Sequence, residues 1–108
     1  MPKEDRRIIF DMSETYQALY KLSLKQEDAP KLMVGAILKI ELDSLDKQKF
    51  NIYLSNPQEG TEKMVTYSLD FMAAALMMYC RGAGIPLPRR AGKTVMLRDG
   101  TVILRIIV

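Results

Sequence analysis

The hydrophobic and polar positions change period several times along the chain, and each change marks an element. Arg7 to Phe10 reads as a short first strand. Ser13 then offers a helix N-cap, with Glu14 in the first turn, where a carboxylate complements the helix dipole. Met12, Tyr16, Leu19, Tyr20 and Ser23 fall on one face at helical spacing, with Glu14, Gln17, Lys21 and Lys25 opposite. This helix is expected to end near Glu27, before Pro30. From Leu32 to Asp43 the period becomes two. Leu38, Ile40 and Leu42 alternate with charged residues, and Gly35 is a candidate bulge. Phe50, Ile52 and Leu54 alternate in the same way after a short connection, which predicts a hairpin. Asn56 to Gly60 is a turn, and Lys63 to Tyr67 predicts a further strand. Ser68 caps a second helix that runs to about Arg81, with Gly82 or Gly84 as its left-handed stop. Ile85-Pro86-Leu87-Pro88 must be extended. Thr94 to Arg98, Asp99-Gly100 and Thr101 to Val108 form a hairpin with a type I′ turn, which pairs Leu97 with Val102 and Val95 with Leu104.

The predicted order is β-α-β-β-β-α-β-β. The expected fold is α+β: a two-layer sandwich in which a mostly antiparallel sheet carries two helices on one face. Residues 1–108 are read as a single domain, without an internal repeat.

The second helix is too apolar for an ordinary surface helix. Leu69, Met72, Ala73, Leu76 and Cys80 form one stripe, and Phe71, Ala74, Ala75 and Met78 lie on the far side. Its charged residues, Asp70 and Arg81, share a narrow edge. Such a helix is either buried on several sides or uses its second face for association. The first reading places it between the sheet and the first helix. The second makes Phe71, Ala74, Ala75 and Met78 the contact with another copy or a partner protein.

Composition narrows the functional classes. The chain has 108 residues, 48% of them hydrophobic and 27% charged, enough for a core without staples. Met1–Asp5 and Gln26–Pro30 are the segments where order is least expected. The lone Cys80 rules out an intramolecular disulfide and fits a reducing compartment. The charged N-terminus, MPKEDRR, is no signal peptide, and the longest uncharged run, Phe71 to Cys80, is about half the ~20 residues that span a bilayer. A cytoplasmic protein without membrane contact is expected.

Charge is unevenly placed. Residues 1–80 carry ten Lys/Arg and twelve Asp/Glu, whereas residues 81–108 carry six Lys/Arg and only Asp99. Arg81, Arg89, Arg90 and Lys93 surround the stiff proline segment, with no acidic residue from Arg81 to Asp99. Guanidinium groups chelate phosphate and carboxylate, so this segment is a candidate site for nucleic acid or another anion. The competing reading is a solvated connection whose charges suit the helix C-terminus. No aromatic set for stacking single-stranded bases accompanies it.

Catalytic patterns fare poorly. The chain has no histidine, which removes Cys–His and Ser–His–Asp mechanisms within one chain and leaves no conventional zinc site or other cofactor motif. Ala91-Gly92-Lys93-Thr94 resembles part of a phosphate loop, but Leu87 stands where the first glycine belongs, and Thr94 opens a strand rather than a helix. The carboxylate pairs Glu27/Asp28, Asp43/Asp46 and Glu59/Glu62 all fall in or near turns. A ribbon-helix-helix reading fails at residue 32, where a strand replaces the second helix.

The stretch LMMYCRGAGIPLPRRAGKTVMLRDGTVILRI resembles the ending of small uncharacterised bacterial proteins with a helix ending in Tyr-Cys, an Ile-Pro-Leu-Pro-Arg-Arg-Ala-x-Lys segment and a final hairpin. Here those positions are Tyr79, Cys80, Ile85 to Ala91 and Lys93. The resemblance implies a bacterial origin and transfers no activity. The expectation is a non-enzymatic binding or scaffolding module, self-associating as a homodimer, with nucleic-acid or polyanion binding through 81–93 as the alternative.

Overall fold

The structure, a computed structural model, describes residues 3–108. Eight elements occur in the expected order: β1 (Asp5–Phe10), α1 (Met12–Lys25), β2 (Ala36–Leu42), β3 (Lys49–Asn56), β4 (Thr61–Ser68), α2 (Leu69–Gly82), β5 (Gly92–Arg98) and β6 (Thr101–Ile107). The fold is α+β. Its strands divide into two antiparallel three-stranded sheets, ordered β1-β6-β5 and β2-β3-β4. Each helix touches both sheets: α1 packs on β1 and β2, α2 on β3, β4 and β5. One continuous hydrophobic core results. Of the Met1–Asp5 segment, Met1 and Pro2 lie outside the described residues, and Asp5 opens β1 with its carboxylate held by Arg105 of β6 at 2.7 and 3.0 Å.

The C-terminal hairpin has the register that its Asp-Gly turn predicts, with Leu97 opposite Val102, Met96 opposite Ile103 and Val95 opposite Leu104. Asp99 and Gly100 take φ of 53° and 78°, the two positive values a type I′ turn requires.

Three local expectations are corrected. The N-cap of α1 is Asp11, not Ser13: Asp11 accepts from the Glu14 N–H at 2.7 Å and Glu14 accepts from the Asp11 N–H at 3.0 Å, a complete capping box. The buried face of α1 is Thr15, Ala18, Leu19, Leu22 and Ser23, which leaves Tyr16 and Tyr20 at its edge. In β2 the bulge sits at Leu38, between Ile37 and Lys39, and not at Gly35. The extra residue turns Ile37 and Ile40 inward and leaves Leu38 and Leu42 exposed.

The chain also contains a repeat that its sequence does not display. It is a βαββ unit written twice, β1-α1-β2-β3 and β4-α2-β5-β6. Both helices have fourteen residues. Asp11 and Ser68 are the equivalent N-caps, Phe10 and Tyr67 the equivalent last inward residues of the first strands, and Ala18-Leu19 and Ala75-Leu76 the fully buried helix centres. The strand registers agree as well. Phe10 faces Val102 and Ile8 faces Leu104, just as Tyr67 faces Phe50 and Val65 faces Ile52. Each unit gives its first strand to the other unit's hairpin, so the relation is a pseudo-twofold with exchanged strands. Identity between the units is nearly confined to the buried Ala-Leu pair, too little to show as a sequence repeat.

The core sets two expectations for stability. Leu76 is fully buried at the helix centre, so Leu76→Ala should lower unfolding free energy by roughly 2–5 kcal/mol in urea titrations. Tyr67 is buried and its hydroxyl donates to the Pro30 carbonyl at 2.7 Å, and burial raises its pKa to about 12 from an ordinary 10.0. The folded state therefore holds this proton more tightly than the unfolded chain. The stability it contributes is intact below pH 10, falls between pH 10 and 12, and is lost above. Urea midpoints measured across that window should drop more steeply for the wild type than for Tyr67→Phe.

Candidate anion-binding basin

The basic segment owes its shape to how α2 stops. Ala83 caps the helix, and Gly84 takes φ of 75°. The Ile85 N–H then donates to the Cys80 carbonyl at 2.8 Å and the Gly84 N–H to the Arg81 carbonyl at 3.3 Å, the paired bonds of a Schellman motif. The chain leaves as Ile85-Pro86-Leu87-Pro88, with Ile85 and Leu87 packed against the core. A guanidinium nitrogen of Arg6 in β1 donates to the Pro86 carbonyl at 2.7 Å and ties this loop to the opposite end of the sequence. The Ala91 N–H closes a turn onto the Pro88 carbonyl at 3.4 Å, and β5 begins at Gly92.

This path encloses an open concavity of about 610 Å³. Arg81, Arg89 and Lys93 line it together with residues Gly84 to Pro88, and no carboxylate does. Arg81 and Arg89 are exposed, while Lys93 is half-buried and donates to the Ala91 carbonyl at 3.3 Å. Neither ion pair among the described residues, Lys39–Glu41 or Arg105–Asp5, involves these cations. Three of the four basic residues read from the sequence thus converge. Arg90 is exposed but does not line the basin. The sequence pattern gave no sign of Arg6, since nothing local links residues so far apart in the chain.

The equivalent connection of the first unit uses its cation differently. Lys31 Nζ donates to the carbonyls of Ser23 at 2.5 Å and Gln26 at 3.2 Å, satisfying the C-terminal end of α1. In the second unit backbone N–H groups satisfy the Tyr79, Cys80 and Arg81 carbonyls of α2, so no cationic side chain is needed there.

The second face of α2 is less open than expected. Ala75 is fully buried and cannot contribute to an association surface; its small side chain lies within the core. Phe71 stacks on Tyr67 with ring centroids 4.4 Å apart, and Phe71, Ala74 and Met78 are all half-buried. The helix is covered by α1 and by both sheets, as the multiply buried reading requires.

Cys80 is also fully buried, and burial pushes its thiol pKa up, against a smaller opposing effect of the Arg6 charge. No cluster of three or more His, Cys, Asp or Glu side chains suited to a metal ion occurs among the described residues. No helix among them is long and apolar enough to cross a membrane. Comparison with protein-family models, curated proteins and solved structures finds no match.

Cys80 should accordingly resist a thiol reagent such as 5,5′-dithiobis(2-nitrobenzoate) at pH 8 in the native protein and react fully in urea. Fast native labelling would mean that the α2 stripe opens readily.

Proposed function

We propose that this protein is a non-enzymatic binding module that engages the phosphate backbone of a nucleic acid through the basin of Arg81, Arg89 and Lys93. The observation that carries this reading is the convergence of three cations, none in an ion pair among the described residues, on one carboxylate-free concavity held by a stiff loop. Guanidinium and ammonium groups positioned in this way neutralise phosphates without reading bases. No aromatic residue lines the basin, which favours a duplex backbone over stacked single strands. A chain without histidine, whose one thiol is buried with a raised pKa, is poorly equipped for nucleophilic or acid–base chemistry. A reduced, cytoplasmic setting suits that thiol, and the resemblance of its C-terminal segment to bacterial proteins suits a bacterial source.

Self-association through α2 retains narrower support, because Ala74 and Met78 keep part of their surface exposed while Ala75 has none. Light scattering at tens of micromolar decides this second reading. A dimer that Met78→Asp converts to monomer supports it, and a monomeric wild type removes it.

The principal reading predicts binding of a short DNA duplex that weakens with salt. The slope of log K against log salt should be about −2 to −3 for three neutralised phosphates. Arg81→Ala, Arg89→Ala and Lys93→Ala should each remove about one unit of that slope, and Arg90→Ala less. Absence of a mobility shift at low salt, or equal loss from all four substitutions, would sink it.

A further inference from the structure

A second concavity lies between the two helices and shares no lining residue with the basic basin, with a volume of about 560 Å³. That is the size of small-ligand sites, which run roughly from 300 to 1,000 Å³. The pseudo-twofold relation shows how it is built. Lys21 of α1 is the equivalent of Met78 of α2, and Lys25 is the equivalent of Gly82; all four line the groove. The groove therefore straddles the relation between the two units, yet equivalent positions carry opposite chemistry. One wall carries two lysines, and the other a methionine, Tyr79 and a glycine. Leu24, 59% exposed, adds apolar surface, and the buried Ala18 lies at the floor of the groove.

The lysine wall runs against helix electrostatics. Lys21 and Lys25 stand one turn apart, where like charges repel and weaken a helix. Lys25 lies in the last turn and suits the negative end of the dipole, but Lys21 is a full turn further in. No carboxylate lines the groove, and neither lysine joins an ion pair among the described residues. A ligand with an apolar body and one anionic end satisfies both walls.

We propose that the groove between α1 and α2 binds a small amphipathic anion of the fatty-acyl carboxylate class, its chain against Leu24 and Met78 and its carboxylate between Lys21 and Lys25. This does not rest on the nucleic-acid reading, which concerns the basic loop. Isothermal titration with decanoate tests it. Decanoate should bind, decanol should bind more weakly, and Lys21→Gln/Lys25→Gln should weaken decanoate by about tenfold, the worth of a charge-assisted contact. Thermal unfolding of that exposed double variant serves as the folding control. Met78→Asp, which sets a carboxylate against the ligand's own, should abolish binding. Arg81→Ala/Arg89→Ala should leave decanoate affinity unchanged; a loss there would place the ligand in the basic loop and overturn the proposal. So would absence of binding at millimolar decanoate, equal affinity for decanol, or a dimer in light scattering that decanoate fails to dissociate.

Discussion

The structure depends on an exchange of strands. A lone hairpin is marginal in water, and a third strand with an apolar face is what makes a small sheet hold. Neither βαββ unit supplies that third strand to itself. β1 completes the sheet of the second hairpin, and β4 completes the sheet of the first. The backbone bond from the Val108 N–H to the Glu4 carbonyl and the Asp5–Arg105 pair seal the exchange at the chain's two ends. The units are therefore mutually dependent, and both helices share one core instead of forming two.

That exchange explains the character of α2. Each helix must touch both sheets, because its own first strand lies in the other unit's sheet. At the centre only small or tightly packed residues fit, hence Ala18-Leu19 and Ala75-Leu76, all without exposure. The apolar excess of α2 is chiefly the requirement of a helix wrapped by α1, β3, β4 and β5. α1 reaches fewer strands and can carry lysines on its outer surface, and the interhelical groove acquires one charged wall and one apolar wall.

The two units also part company at their helix exits. In the first, a side chain finishes the helix: Lys31 occupies the free carbonyls, and the hydroxyls of Tyr67 and Tyr16 hold the adjoining loop through the carbonyls of Pro30 and Met33. In the second, the backbone finishes the helix by itself, and Pro86 and Pro88 stiffen the segment beyond it. The same topological position is thus structural in one unit and a cationic basin in the other. Duplication of a fold permits this division, since one copy of a connection can be spared from holding the helix end.

Local chemistry was legible from the chain alone, because it acts over a few residues. The order of elements, the Ser68 cap, a glycine stop at Gly82 or Gly84, the register set by Asp99-Gly100 and the basic character of 81–93 are all decided by near neighbours in sequence. The rest belongs to contacts between distant segments. The bulge at Leu38, which turns Ile37 and Ile40 to the core, satisfies a neighbouring strand. Arg6 reaches Pro86 only because β1 lies beside the second hairpin. Ala75 is hidden within a core whose assembly no local pattern encodes. The pairing of strands between units, and with it the twofold repeat, is a matter of which hairpin each first strand joins. That choice is made by the shared core, through burial of the same few apolar positions in both halves, and alternation along a single strand cannot express it.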